Sequence, residues 1–161
     1  MKLTSIIALA GLCLPGSVYA QAPQSERNVS MAMAQAIMAG VIEDCAKSSY
    51  RVSVVIVDRG GQIAAALRGD GTSPHTVEFA RMKAYTARTR NQTSQEFAAA
   101  TASGDNMVLR QIPGVVAIGG GVPIKAGSET IGAVGVSGAP GGDKDEACAR
   151  AGIARVSAAL N

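Results

Sequence analysis

An α+β domain built on a mainly antiparallel sheet is the fold that this 161-residue chain predicts. Two observations carry it. The apolar pattern runs helix, two strands, two helices, three strands, helix, without the strand-helix alternation of a parallel sheet. The turns between neighbouring strand segments are short and glycine-rich, which suits hairpins rather than long crossovers. A hydrophobic fraction of 47% against 17% charged residues is enough for one core, and it excludes a disordered chain.

The elements follow in order. Ser30 is a capping residue for a first helix that should stop near Ser48. Within it Ala34, Ile37, Met38, Val41, Ile42 and Cys45 recur at helical spacing, so one stripe is core and Cys45 lies on it. Val52 to Val57 is a β-branched run and Gln62 to Leu67 a second apolar run, and Asp58-Arg59-Gly60-Gly61 between them has the composition of a hairpin turn. After the loop Gly69 to Thr72, Ser73-Pro74 supplies an N-cap and a first-turn proline for a second helix running to about Arg90. Thr93-Ser94-Gln95-Glu96 is a capping box for a third. Val115 to Ile118, Val122 to Lys125 and Thr130 to Ser137 complete a set of five strands. A last helix begins near Asp143 and buries Ala149, Ile153, Val156 and Leu160, with Cys148 at the edge of that stripe. The terminal helices are expected to cover the same sheet.

Residues 1–20 read as a secretory signal peptide. Lys2 supplies the positive start, Leu3 to Leu14 the apolar stretch and Val18-Tyr19-Ala20 the cleavage site. Leu12 before Cys13 argues against a lipoprotein signal, and no later segment has the length and apolarity to span a membrane. Residues 21–29 are then a flexible leader and residues 30–161 the domain, exported to the periplasm or secreted. In that compartment Cys45 and Cys148 either pair, closing a loop of roughly 100 residues for about 4 to 5 kcal/mol, or pack apart as two thiols. A net charge of +3 and an aromatic content of 3% are too little for a nucleic-acid footprint.

Candidate chemistry concentrates on the second helix. His75, the one histidine, lies away from the small-residue stripe Val77, Ala80, Ala84 and Ala87 and points outward. It is either an exposed surface histidine or an iron ligand at an interface. Arg81 and Arg88 follow one edge of the stripe and Lys83 and Arg90 the other, as a solvated edge or as partners for carboxylates and propionates. Met82 shares the outer side with His75, whereas Met38 is core. Gly119-Gly120-Gly121 lacks the Gly-Lys-Ser/Thr ending of a phosphate loop, and Gly135-Val136-Ser137-Gly138-Ala139 lacks the last glycine of a nucleophile elbow. No metal-ligand spacing is present.

From about Ser30 to Leu160 the chain resembles the GlcG/HbpS-like haem-binding (haem-degrading) family, also seen as the C-terminal part of PduO-type proteins. The resemblance lies in Val54-Val55-Ile56-Val57-Asp58-Arg59-Gly60-Gly61, in Ala80-Arg81-Met82-Lys83-Ala84-Tyr85-Thr86-Ala87, and in Pro113-Gly114-Val115 with Gly119-Gly120-Gly121-Val122-Pro123-Ile124. Most specific is Ile131-Gly132-Ala133-Val134-Gly135-Val136-Ser137-Gly138-Ala139-Pro140, followed by Asp145-Glu146-Ala147-Cys148-Ala149 and Ala151-Gly152. It implies a profilin-like fold, a five-stranded antiparallel sheet flanked by α-helices, assembly into homo-oligomers, and binding of haem or a related tetrapyrrole. Some members carry Glu-x-x-Glu on the second helix for iron; here Glu78 is followed three residues later by Arg81, so that pair is broken. No axial ligand transfers to a matched position.

The expectation is therefore an exported, oligomeric haem-binding protein, a scavenger or sensor component. His75 is the candidate metal ligand, and Arg81, Met82, Lys83 and Arg88 are the further cofactor-binding candidates in a pocket between subunits. An oxidative haem-degrading enzyme, or another small-ligand enzyme, is the alternative, although the sequence names no general base. A protein-interaction module without haem is the third possibility.

Overall fold

The computed structural model describes residues 22–161, and the signal peptide expected over 1–20 lies outside them. Strand β1 (Ser53–Asp58) is buried from Ser53 to Val57 because it has helices over both faces. Val54 and Ile56 enter one apolar cluster, Val55 and Val57 the other, as the two-residue period of a strand requires. Around it the sheet runs β2 (Ile63–Leu67), β1, β4 (Glu129–Ser137), β3 (Gly121–Ala126), antiparallel at every step.

That is four strands, not the five expected: Val115 to Ile118 forms none. Its backbone is satisfied elsewhere. The Val115 amide donates to Ile112 O at 3.2 Å and the Val116 amide to Thr86 Oγ1 at 2.8 Å, so a helix hydroxyl takes the place of a ladder partner.

On one face lie α1 (Met31–Lys47) and α4 (Gly142–Ala154), as the apolar stripes predict. Ser30 caps α1, its Oγ accepting from the Met33 amide at 3.2 Å. Gly152 admits the close crossing, since a Cβ there would sit 2.6 Å from Ile37 O. Cys45 and Cys148 form a disulfide between the two helices, with Cα atoms 5.5 Å apart. The last helix ends earlier than expected, at Ala154, and Val156 and Leu160 reach the core from a short 3-10 turn, Ser157–Ala159.

The other face carries α2 (Thr76–Arg90), which presents Ala80, Ala84 and Ala87 to the sheet. Gly135 and Gly121 are the reason for such small residues: a Cβ on Gly135 would overlap the Ala80 carbonyl oxygen, and one on Gly121 the Lys83 carbonyl oxygen. The short α3 (Ser94–Ala100) follows with its capping box intact, Thr93 N to Glu96 Oε2 at 2.7 Å and Glu96 N to Thr93 Oγ1 at 3.1 Å. Of the expected leader, Glu26 to Val29 are tied to the β1-β2 turn and the β3-β4 hairpin: Glu26 pairs with Arg59, Arg27 donates to Ala126 O, and the Val29 amide to Ile131 O. Among the described residues no helix is long and apolar enough to cross a membrane.

Candidate ligand-binding site

Where the amino end of α2 meets the loop from β4 to α4, the surface opens into a cleft of about 700 Å³. Its position is set by hydroxyls. Ser53 Oγ on β1 lies 2.8 Å from Thr76 Oγ1 and 3.3 Å from Thr72 Oγ1, all three residues buried. Thr76 also closes a turn back onto Ser73 O through its amide (3.1 Å) and its hydroxyl (2.8 Å). The loop before α2 is thereby fastened to the sheet, and the residue after the Ser73-Pro74 turn is carried to the rim of the cleft.

That residue is His75. It is the N-cap of α2, where Ser73 was expected, and it makes no side-chain capping hydrogen bond. Its exposed imidazole meets the Phe79 ring edge to face, centroids 5.4 Å apart at 81°. The outward orientation read from the helix period holds. Tyr50, Arg51, Ile118 and Pro140 line the cleft with it.

Lys83 and Asp145 form the floor. Helical spacing put Lys83 on an edge of the α2 stripe, as a solvated residue or as a partner for carboxylates; the structure buries it, leaving 2% of its surface accessible. Its ammonium donates to Asp145 Oδ2 at 2.7 Å and to Val136 O at 3.0 Å, and the Ala139 amide donates to Asp145 Oδ1 at 2.9 Å. Gly120 makes the space: a Cβ there would lie 3.0 Å from Lys83 Nζ and 2.7 Å from the Asp145 Cβ. Burial holds the Asp145 carboxyl above the ordinary carboxylate range, against the pull of Lys83 and the Ala139 amide.

The remaining candidates lie elsewhere. Arg81 is engaged by Glu78, with Nε to Oε2 at 2.9 Å and Nη2 to Oε1 at 2.7 Å. These bonds hold the Glu78 carboxyl below its ordinary range and use both oxygens that an iron site would need. Met82 is half-buried on α2 and does not line the cleft. Arg88 lies 13 residues beyond His75, about 20 Å along the helix axis by its 1.5 Å rise, and lines a different cavity. His75 and Lys83 are thus brought to one place, and Arg81, Met82 and Arg88 are not. Among the described residues no three His, Cys, Asp or Glu side chains converge on a common point.

Phe79, Arg51 and Asp145 are among the lining residues that were not singled out from the sequence as parts of a site. Phe79 was accessible to it, being four residues from His75 on the same helix face. Arg51 and Asp145 come from the ends of other elements and had no local signal. A further concavity of about 500 Å³ lies between α3, β3 and the end of α4, but its Glu96 is spent on the α3 cap and its Arg150 on Glu146.

Protein GlcG of Escherichia coli K12 is 32% identical to this chain over 109 residues, covering 68% of this chain and 81% of GlcG. The crystal structure of a Streptomyces reticuli HbpS variant, with two glutamates changed to aspartate, superposes with a TM-score of 0.78 at 35% identity, over 91% of this chain and 97% of that one. Klebsiella pneumoniae protein ORFY, a DUF336 structure, gives 0.81 at 26% identity, over 87% and 98%. The family described as haem degrading protein HbpS-like matches residues 29–154. Fold, motifs and match agree, and the chain belongs to the HbpS-like family.

Proposed function

We propose that this protein is exported, assembles into homo-oligomers and binds haem in the cleft beneath His75. One observation carries the proposal: an exposed imidazole, braced by Phe79, stands at the rim of a cleft whose volume suits a small-molecule ligand. The donor set fits a tetrapyrrole. His75 would coordinate the iron through a ring nitrogen, and Phe79 restrains that ring. Ile118 and Pro140 supply apolar wall, and Arg51 a cation for propionates. Bound haem would supply a redox-active iron able to react with oxygen.

The chain's own groups do the rest. Phe79 limits rotation of the imidazole, and the Ser53-Thr72-Thr76 hydroxyls hold its backbone still. Lys83 is committed to Asp145 and Val136 O, so it anchors the floor and is not a free base. Because His75 faces outward, a second copy would cover it. The exposed Ile63 and Leu67 on edge strand β2, with Met107 and Val108 on the turn beyond α3, support such an assembly. A scavenger or sensor role follows from binding without turnover. Oxidative haem breakdown is the second reading, favoured by the family's description.

A haem titration followed at the Soret band, on wild type and His75→Ala, tests the site. A saturable shift that weakens at least ten-fold in the variant is expected; equal binding by both would move the ligand away from His75. Incubation with a reductant and oxygen separates the two readings, since a carrier returns its haem intact beyond the free-haem control. Light scattering after size-exclusion chromatography must show more than one copy.

A further inference from the structure

At the far end of α2 from His75 a separate cavity of about 260 Å³ is lined by Arg59, Arg88, Asn91, Lys125, Ser128 and Thr130. Its lining holds three cations, two hydroxyls and an amide, and no carboxylate.

The cations are only partly satisfied. Arg88 Nε is buried without a hydrogen-bond partner among the described residues, and Nη1 has one long contact, 3.4 Å to Asn91 Oδ1. Neither Arg88 nor Lys125 joins an ion pair among those residues. Arg59 does, with Glu26 at 3.1 Å and Glu129 at 3.3 Å, but Glu129 is shared with Arg27 at 3.4 Å. Four cations therefore stand against two carboxylates. Arg88 is half-buried; a guanidinium N–H left without an acceptor is unfavourable, and an oxyanion bound by the same guanidinium relieves that cost. Asn91 closes α2 in the left-handed region (φ 53°) and, having accepted from Arg88 through Oδ1, keeps its amide NH2 as a donor. The carbonyl end of α2 would oppose an anion, and Arg88 and Arg90 in its last turn offset that field.

We propose that this cavity is a small-oxyanion site, taking a free phosphate or a carboxylate. The Arg88 fork is its principal contact, with Arg59, Lys125, Ser128 and Thr130 around it. The cavity shares no lining residue with the His75 cleft and lies at the opposite end of α2, so its test does not depend on haem binding.

Calorimetric titration of the oxidised protein with inorganic phosphate at low ionic strength should show one saturable site per chain. Arg88→Ala should weaken it about ten-fold or more. Arg88→Lys, which keeps the charge and loses the fork, should fall between, and His75→Ala should bind as wild type does. If Arg88→Ala fails to fold, the exposed Lys125→Ala, expected to weaken binding several-fold, takes its place. Acetate titrated in parallel distinguishes the sources: displacement of phosphate assigns carboxylates to the site, and no displacement assigns phosphate. Absence of saturable binding by either anion, or unchanged binding in both the Arg88 and Lys125 variants, would overturn the proposal.

Discussion

Replacing Lys83 by methionine is the sharpest test of how the cleft is built. The change keeps an unbranched side chain of similar volume and removes the ammonium. In the wild type that ammonium and the Asp145 carboxylate are 2.7 Å apart with 3% and 4% of their side chains exposed. After Lys83→Met, Asp145 keeps the Ala139 amide at 2.9 Å and nothing else, and Val136 O loses its 3.0 Å donor. Breaking a buried pair in this way costs about 3 to 5 kcal/mol, because an uncompensated charge stays buried. Asp145→Asn alone should cost a similar amount, since it strands Lys83. The double variant Lys83→Met/Asp145→Asn has no buried charge left, and asparagine still offers an oxygen to the Ala139 amide. It should be no less stable than either single variant.

Urea unfolding of the four proteins at constant m provides the measurement. The pH dependence adds a second readout with a definite sign. A carboxyl with a raised folded-state pKa contributes stability that is present below its unfolded value and lost as pH rises through the folded one. Removing Lys83 takes away an influence that lowers the Asp145 pKa. The Lys83→Met variant should therefore regain stability relative to wild type as pH falls through the carboxylate range. Single losses below about 1 kcal/mol, or losses that simply add in the double variant, would refute the claim that the two groups are a buried pair.

Two further outcomes concern the frame around the site. The Cys45→Ala/Cys148→Ala variant opens a loop spanning 103 residues between α1 and α4; it should lose about 4 to 5 kcal/mol and melt roughly 10 to 20 °C lower by circular dichroism. A wild-type melting temperature that is the same with and without reductant would contradict this. Gly135→Ala should cost about 3 kcal/mol in thermal unfolding, because its Cβ meets the backbone of Ala80 and Ala84, which cannot rotate away. A variant melting with the wild type would mean that α2 can lift from the sheet at little cost.

Much of the architecture was legible because each element signals itself locally. The stripe from Ala34 to Cys45, the β-branched run into Val57 and the Thr93 to Glu96 capping box are patterns within a few residues, and all three appear as read. The miss at Val115 to Ile118 has a non-local cause: its β-branched residues look like strand, but Thr86, some 30 residues away, takes the Val116 amide. Strand propensity describes side chains that suit a sheet and says nothing of where the backbone finds its partners. The candidate site was less legible. His75 could be singled out because a lone histidine off the apolar stripe is visible in one helical turn. Lys83 was singled out from its place on the stripe's edge, whereas its burial depends on Gly120 and Asp145 arriving from elsewhere.

By itself the sequence determined the helices and four of the strands in their order, the β-branched run that becomes β1, the family, and the small residues that bring α2 onto the sheet. Tertiary structure decided that Cys45 meets Cys148, that Lys83 is neutralised by Asp145, and that Arg88 stands in a basic cavity apart from His75. Periodicity reports which side of an element faces the core, because that follows from 3.6 or 2 residues per repeat. It cannot report which charge waits on the other side. The Lys83–Asp145 pair joins atoms 62 residues apart in the chain, and its energy depends on a distance and a burial that exist only after the layers have packed.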